Sequence, residues 1–258
     1  MATSVDLNSD MGESFGVYKL GNDEEMLTIV SSANVACGFH AGDPLVMHRT
    51  LTTAKANGVE VGAHPSFFDV WGFGRRPIHG EDPADLEKIV AYQIGAIQGI
   101  ARQVGHEVSH VKAHGSLGNM TAVDEALALG VARGIKAVDP NLIYVVMPGT
   151  AMERAGEKTG LRLAREVFAD RAYDDDGNLV SRKLPGAVIH DADLAARRVV
   201  EMVADGAVRS VSGKRIPVKI DTICVHGDNP AAVGMARAIR AALEAAGIVI
   251  RPMRQLIN

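Results

Sequence analysis

Two cysteines in 258 residues are too few for a disulfide framework, so Cys37 and Cys224 read as reduced, buried side chains of a cytoplasmic protein. Positive charge is not in excess: 27 Lys and Arg stand against 31 Asp and Glu, a net charge of -4. That balance offers no basic footprint for nucleic acid or an anionic membrane. No apolar run approaches the roughly 20 residues needed to span a bilayer, and Met1 to Asp6 shows no basic stretch leading into an apolar one, so no signal peptide is expected. No GxGxxG follows the first apolar segment, which argues against a dinucleotide site. HExxH and close HxH pairs are missing too. Ala155 to Thr159 lacks the glycine that a phosphate loop places before its lysine, so no ATP site is legible in this chain. Asp174 to Asn178 has acidic spacing, but Leu179 stands where a calcium loop needs glycine. Aromatic residues make up only 4%, and one loop, Phe67 to Arg76, holds the lone tryptophan and half of the six phenylalanines. Such a loop suits a lid or a partner surface.

What the chain does have is a regular alternation. Short apolar segments end in polar, glycine-containing turns, and amphipathic stretches follow them. Strands are expected at Ser4–Asn8, Val59–Val61, Leu142–Met147, Leu161–Phe168, Lys219–Val225 and Ile248–Ile250, with others ending near Ala36 and Lys112. Helices are expected after Met26, Asp43-Pro44, Asp82-Pro83, Thr150, Asp191 and Asn229-Pro230, with a further one capped by Thr121 and Asp124 and running to Val138. Seven or eight repeats of strand and helix, with no linker or charge block between them, predict one parallel (β/α) barrel domain over residues 1–258.

In a barrel the strand ends converge on one face. Those ends carry Asp6, Asn8, Asp10 and Glu13; Asn34, Cys37, His40 and Asp43; His64 and Ser66; Lys112, His114 and Asn119; Glu166, Asp170 and Arg171; and His226, Asp228 and Asn229. Four of the nine histidines occupy equivalent places, each in or beside a glycine-containing turn. Imidazoles and carboxylates gathered this way support proton transfer and hydrolysis. A set such as His40, His64 and Asp10 could also hold a divalent cation with a position open for water. Cys37 closes an apolar run and reads as packing. Asp43 reads as a helix cap, and Arg75 and Arg76 as a solvated loop pair, with a carboxylate clamp as the alternative.

Five motifs, taken in order and spacing, carry a resemblance: Asp6-Leu-Asn-Ser-Asp-Met-Gly-Glu-Ser14, Asn34-Val-Ala-Cys-Gly-Phe-His-Ala-Gly-Asp43, Gly62-Ala-His-Pro-Ser66, Arg165-Glu-Val-Phe-Ala-Asp-Arg171 and Cys224-Val-His-Gly-Asp228. The series resembles that of the LamB/YcsF family over essentially the whole chain. The resemblance implies a distorted seven-stranded (β/α) barrel related to polysaccharide deacetylases and glycoside hydrolases. It implies the A subunit of an ATP-dependent 5-oxoprolinase, which opens 5-oxo-L-proline to L-glutamate together with subunits B and C and uses ATP in the complex. On this reading Asp10, His40, His64, His114, Glu166 and His226 are catalytic or metal candidates. Asp6, Asn8, Glu13, Lys112, Asn119, Asp170, Arg182 and Asp228 are the substrate-binding candidates. The alternatives are a stand-alone metal-dependent amidase or deacetylase and a lactam-binding carrier. One motif departs from the family pattern, which reads Val-Lys-Pro-His-Gly-x-Leu-Tyr-Asn. Here Ala113 replaces the proline and Gly118 the tyrosine, while Lys112, His114 and Asn119 are kept.

Overall fold

The computed structural model describes residues 3–226 and 230–257. The chain opens with β1 (Ser4–Met11), the one-turn helix α1 (Asp23–Met26), β2 (Ser32–Ala36), α2 (Pro44–Ala56), β3 (Glu60–His64) and the long α3 (Pro83–Val104). It continues through β4 (Val108–Lys112), α4 (Gly115–Val123), α5 (Glu125–Val138), β5 (Ile143–Val146), α6 (Ala151–Thr159) and β6 (Arg162–Phe168). The last part holds α7 (Ala192–Asp205), the antiparallel pair β7 (Ala207–Arg209) and β8 (Arg215–Pro217), β9 (Thr222–Cys224), α8 (Pro230–Ala245), β10 (Val249–Ile250) and α9 (Met253–Leu256).

Seven parallel strands close a ring in the order β1-β2-β3-β4-β5-β6-β9, because β9 pairs with both β6 and β1. β10 is outside the ring and pairs only with Ser4 and Val5 at the start of β1. No helix among the described residues is long and apolar enough to cross a membrane.

Local chemistry explains most boundaries. Asp43, Asp82, Asp124 and Asp191 each accept backbone N–H groups at the head of a helix, and Pro44 and Pro83 follow two of them at the first turn. Gly105, Gly160 and Gly206 end helices in the left-handed region. Packing then holds the helices. α3 buries Leu86, Val90, Ile94 and Ile97 against the barrel, and each such side chain contributes about 1.5–3 kcal/mol, more than helix propensity does.

Several boundaries differ from the sequence expectation. The segment after Met26 is not helical; α1 lies before it, capped by Asn22. The expected pairing of Thr121 with Asp124 does not form. Thr121 donates to Leu117 O inside α4, a helix the sequence reading missed, and Asp124 alone caps α5. Thr150 makes no side-chain cap bond. Glu153 accepts the Gly149 N–H instead and pairs with Arg165. The hairpin β7–β8 and helix α9 had no hydrophobic periodicity to announce them. Ala155 to Thr159, where no phosphate loop is expected, is part of α6.

The register places Asp6, Asn8 and Asp10 of β1 on the inner face of the ring with Ser32, Asn34, Gly62, His64, His110, Lys112, Glu166, Thr222 and Cys224. Ile143, Val145 and Ala164 make an apolar inner patch, which Met253 and Ile257 cover. The interior is therefore polar on one side and apolar on the other.

Candidate active site

Asp10 is the centre of the polar side. Its Oδ1 accepts from Lys112 Nζ at 3.0 Å and from Asn34 Nδ2 at 2.9 Å, and its Oδ2 lies 3.3 Å from His64 Nε2. Lys112 also donates to Glu166 Oε1 at 2.8 Å and touches Cys224 Sγ at 3.1 Å. Burial alone would pull the Lys112 ammonium down. Asp10, followed by Cys224 and Glu166, outweighs burial and holds it well above the ordinary lysine range. Burial pushes Asp10 up, but His64 and Lys112 hold it well below the usual carboxylate range. The centre is thus a buried Asp10–Lys112 ion pair, with Glu166 on the other side of the ammonium.

Beside it stand three imidazoles. His64 Nδ1 donates to Lys112 O at 2.7 Å, and His114 Nε2 donates to Phe73 O at 2.8 Å. Each carbonyl fixes a tautomer, because a carbonyl only accepts. The remaining nitrogens, His64 Nε2 and His114 Nδ1, lie 3.0 Å apart, a hydrogen-bond distance that calls for one proton between them. His40 stacks on His114 with ring centres 3.7 Å apart, and its Nε2 lies 3.1 Å from Glu13 Oε1. Burial first, and neighbouring imidazoles second, hold His40 and His114 well below the ordinary histidine range, so both are neutral at pH 7. Burial raises the Glu13 carboxyl.

The loop after β3 closes over these rings. Phe73 packs edge-on against His40 and His114, and the Arg75 guanidinium lies over the Phe73 ring. Gly74, at φ +63, lets the backbone come this close: a Cβ there would sit 2.3 Å from Ser66 Oγ and 2.8 Å from His40 Cβ. The aromatic loop thus divides. Phe67 is core, Phe73 covers the histidines, and Phe68 and Trp71 are exposed. Across the mouth, His226 Nδ1 lies 2.7 Å from Asp170 Oδ2, off the line of a well-formed hydrogen bond, and its Nε2 faces Arg182 at 3.0 Å. A cleft lined by Asp10, Glu13, Leu20, Arg75, His114 and His226 opens between these groups.

Most expected site residues meet here: Asn8, Asp10, Glu13, His40, His64, Lys112, His114, Glu166, Asp170, Arg182 and His226. Two do not. Asp6 is fully buried below the site and accepts hydroxyls from Ser31, Ser32 and Thr222 at 2.5–2.7 Å, so it is a structural carboxyl and not a substrate ligand. Asn119 lies on the exposed side of α4, with no hydrogen bond to the centre among the described residues. Asp228 and Asn229 lie outside the described residues. The metal trio His40, His64 and Asp10 is also regrouped: the structure joins Asp10 and His64 to His114, and His40 to Glu13 and His114. Gly118 and Ala113 pack against each other, a Cβ on Gly118 falling 2.9 Å from Ala113 O, and neither lines the cleft. Cys37 donates to Val35 O, and burial pushes its thiol up to about 12, as suits a packing residue. Asp43 caps α2 and also accepts the Gly16 N–H.

The sequence places Asn34 among the strand-end polar groups and Cys224 among the buried thiols but singles out neither His110 nor Thr222, and all four tie the centre together. Their signal was the period of two along β1, β2, β4 and β9: Asp6-x-Asn8-x-Asp10, Ser32-x-Asn34, His110-x-Lys112 and Thr222-x-Cys224 each face one way.

The model of the LamB/YcsF family matches residues 5–258. The chain belongs to the LamB/YcsF family. A relative from Rhodopseudomonas palustris strain BisB5, named as the A subunit of 5-oxoprolinase, is 57% identical over 96% of this chain and 98% of its own length. A relative with the same name from Gluconobacter oxydans is 55% identical over 98% and 99%. The crystal structure of a lactam utilization protein from Thermus thermophilus superposes with a TM-score of 0.92 at 44% identity, covering 96% of this chain and 99% of that one. The catalytic domain of a peptidoglycan N-acetylglucosamine deacetylase from Eubacterium rectale shares the barrel at a TM-score of 0.54 and 10% identity, covering 98% and 89%. The expected relation to deacetylase barrels therefore holds at the level of the fold.

Proposed function

We propose that this chain is the A subunit of an ATP-dependent 5-oxoprolinase and that it supplies the groups that open 5-oxo-L-proline to L-glutamate. The observation that carries this reading is the match over nearly the full length to relatives named for that subunit, in a chain whose strand-end motif residues converge on Asp10 and Lys112. It favours a component of a larger enzyme over a stand-alone amidase or a carrier. The partners are subunits B and C, and ATP is used in the complex. The two free, buried cysteines suit a reducing cytoplasm.

A five-membered lactam is an unstrained amide and a poor electrophile. Phosphoryl transfer from ATP to its oxygen makes the ring carbon attackable. Water then adds to that carbon, the C–N bond breaks as nitrogen takes a proton, and a second water releases phosphate from the resulting acyl phosphate. In this scheme the Lys112 ammonium faces the negative charge that develops on oxygen. The His64 Nε2–His114 Nδ1 pair accepts the proton of the attacking water and returns one to the departing nitrogen. Arg75 and Arg182 at the mouth hold the substrate carboxylate. Reconstitution with subunits B and C tests the reading. ATP-dependent glutamate release is expected, and none from a well-folded chain in the assembled complex would overturn it.

One observation favours a cation in the same place. His64 Nε2, His114 Nδ1 and Asp10 Oδ2 all present lone pairs to one point, an arrangement that needs a proton or a metal ion to be stable. These residues fit a divalent cation, which when bound would activate water. Metal analysis of the purified chain and of His114→Ala tests this: about one equivalent in the first and loss in the second are expected.

A further inference from the structure

His110 lies one layer below Lys112 on β4 and is fully buried. It lines no part of the cleft, yet both its ring nitrogens are held. The Ser109 hydroxyl is 2.7 Å from Nδ1, and Nε2 is 2.9 Å from Asn34 Oδ1. The other end of the Asn34 amide donates to Asn8 Oδ1 at 2.7 Å and to Asp10 Oδ1 at 2.9 Å. An amide turned end for end keeps its shape, so packing cannot choose between its two settings. Turned over, Asn34 would aim its oxygen at the oxygens of Asp10 and Asn8. Asp10, which only accepts, selects the observed setting from one end, and His110 Nε2–H, a donor at Asn34 Oδ1, holds it from the other.

Burial, helped by the charge of Lys112, drives His110 down to about 3, so the ring is neutral and carries one proton. Asn34 Oδ1 only accepts, so that proton sits on Nε2; the Ser109 hydroxyl, 2.7 Å from Nδ1, also lies 3.1 Å from Val61 O and has one proton for the two. Space for the ring is reserved in the backbone: a Cβ at Gly62 would fall 2.2 Å from His110 Cδ2. The glycine of the Gly62-Ala-His-Pro-Ser66 motif is thereby explained by the ring it admits and not by a turn.

We infer that His110 is a positioning residue for Asp10: acting through Asn34, it fixes which face of the amide meets the carboxylate, and so how Asp10 is presented to Lys112 and His64. The inference rests on the 5-oxoprolinase reading for the reaction it serves.

A double-mutant cycle in the reconstituted complex tests it. His110→Phe keeps the ring volume and removes the donor, and Asn34→Leu removes the amide. Each is expected to lower kcat about 10- to 100-fold, the size of one hydrogen bond to a charged group, with KM held within about threefold. Because one acts through the other, the double variant should fall no more than about threefold below the worse single variant. Losses that multiply would overturn the inference, since independent packing damage adds in free energy. Nitrogen NMR of histidine-labelled free chain gives a readout that needs neither activity nor a mutant that folds. His110 is expected with Nε2 protonated and Nδ1 bare, and a proton on Nδ1 would overturn the inference. If the wild-type complex releases no glutamate, the functional reading falls while the tautomer still decides the role of His110.

Discussion

Asp6 and Asp10 are four residues apart on one strand and face the same barrel interior, yet they live in opposite electrostatic worlds. Asp6 meets only neutral partners, the hydroxyls of Ser31, Ser32 and Thr222, and burial raises its pKa to about 7. Asp10, one layer from the mouth, meets the Lys112 ammonium and His64 and is held well below the carboxylate range. The lower layer therefore stores a polar network for architecture, and the upper layer keeps charges that chemistry can use. Hydroxyls can follow a proton on or off Asp6 by rotating. A fixed ammonium cannot, so it locks Asp10 in its ionised form.

The largest expected effect that would sharpen this contrast is on turnover. Asp10→Asn should cost about 10³- to 10⁴-fold in kcat of the reconstituted complex with little change in thermal midpoint, whereas Asp6→Asn should stay within about tenfold of wild type. Equal losses from the two would erase the division into layers.

Lys112→Met comes next. It leaves Asp10 and Glu166 buried without their cation, and a broken buried pair typically costs about 3–5 kcal/mol, read as a lower midpoint in urea unfolding. An unchanged midpoint would mean that the carboxylates had found protons or water at no cost.

A smaller effect concerns pH. The folded pKa of Asp6 exceeds its unfolded value, so the folded state binds the proton more tightly. Its contribution is present below about pH 4 and is lost as pH rises to about 7. Asp6→Asn removes that titration. The variant's stability relative to wild type should therefore be better at pH 8 than at pH 5, by a few kcal/mol at most, on the order of 1.4 kcal/mol per pK unit. The opposite slope would show that Asp6 is ionised in the fold.

The smallest expected effect is that of Asn119→Ala, which should change turnover by less than about twofold because the side chain lies on the exposed side of α4. A large loss would return Asn119 to the site.

By itself, the sequence determined the barrel and much of the site. Alternating apolar runs and capped amphipathic stretches can bury their surfaces only as parallel strands under helices, and Asp43, Asp82 and Asp191 marked helix starts because capping is local chemistry. The motifs around Asp10, His40, His64, Lys112, His114, Glu166 and His226 were legible because every strand of such a ring delivers its end to one face. The tertiary structure alone decided depth and pairing. Asp6, Asn8 and Asp10 share one period-two pattern, and nothing along the chain says which reaches the mouth and which is sealed beneath it. That depends on the register of β1 against β2 and β9, set by strands up to 216 residues away, as the bond from Thr222 to Asp6 shows. His110 escaped notice for the same reason: its partner Asn34 is 76 residues away, and only the closed ring brings the two to 2.9 Å.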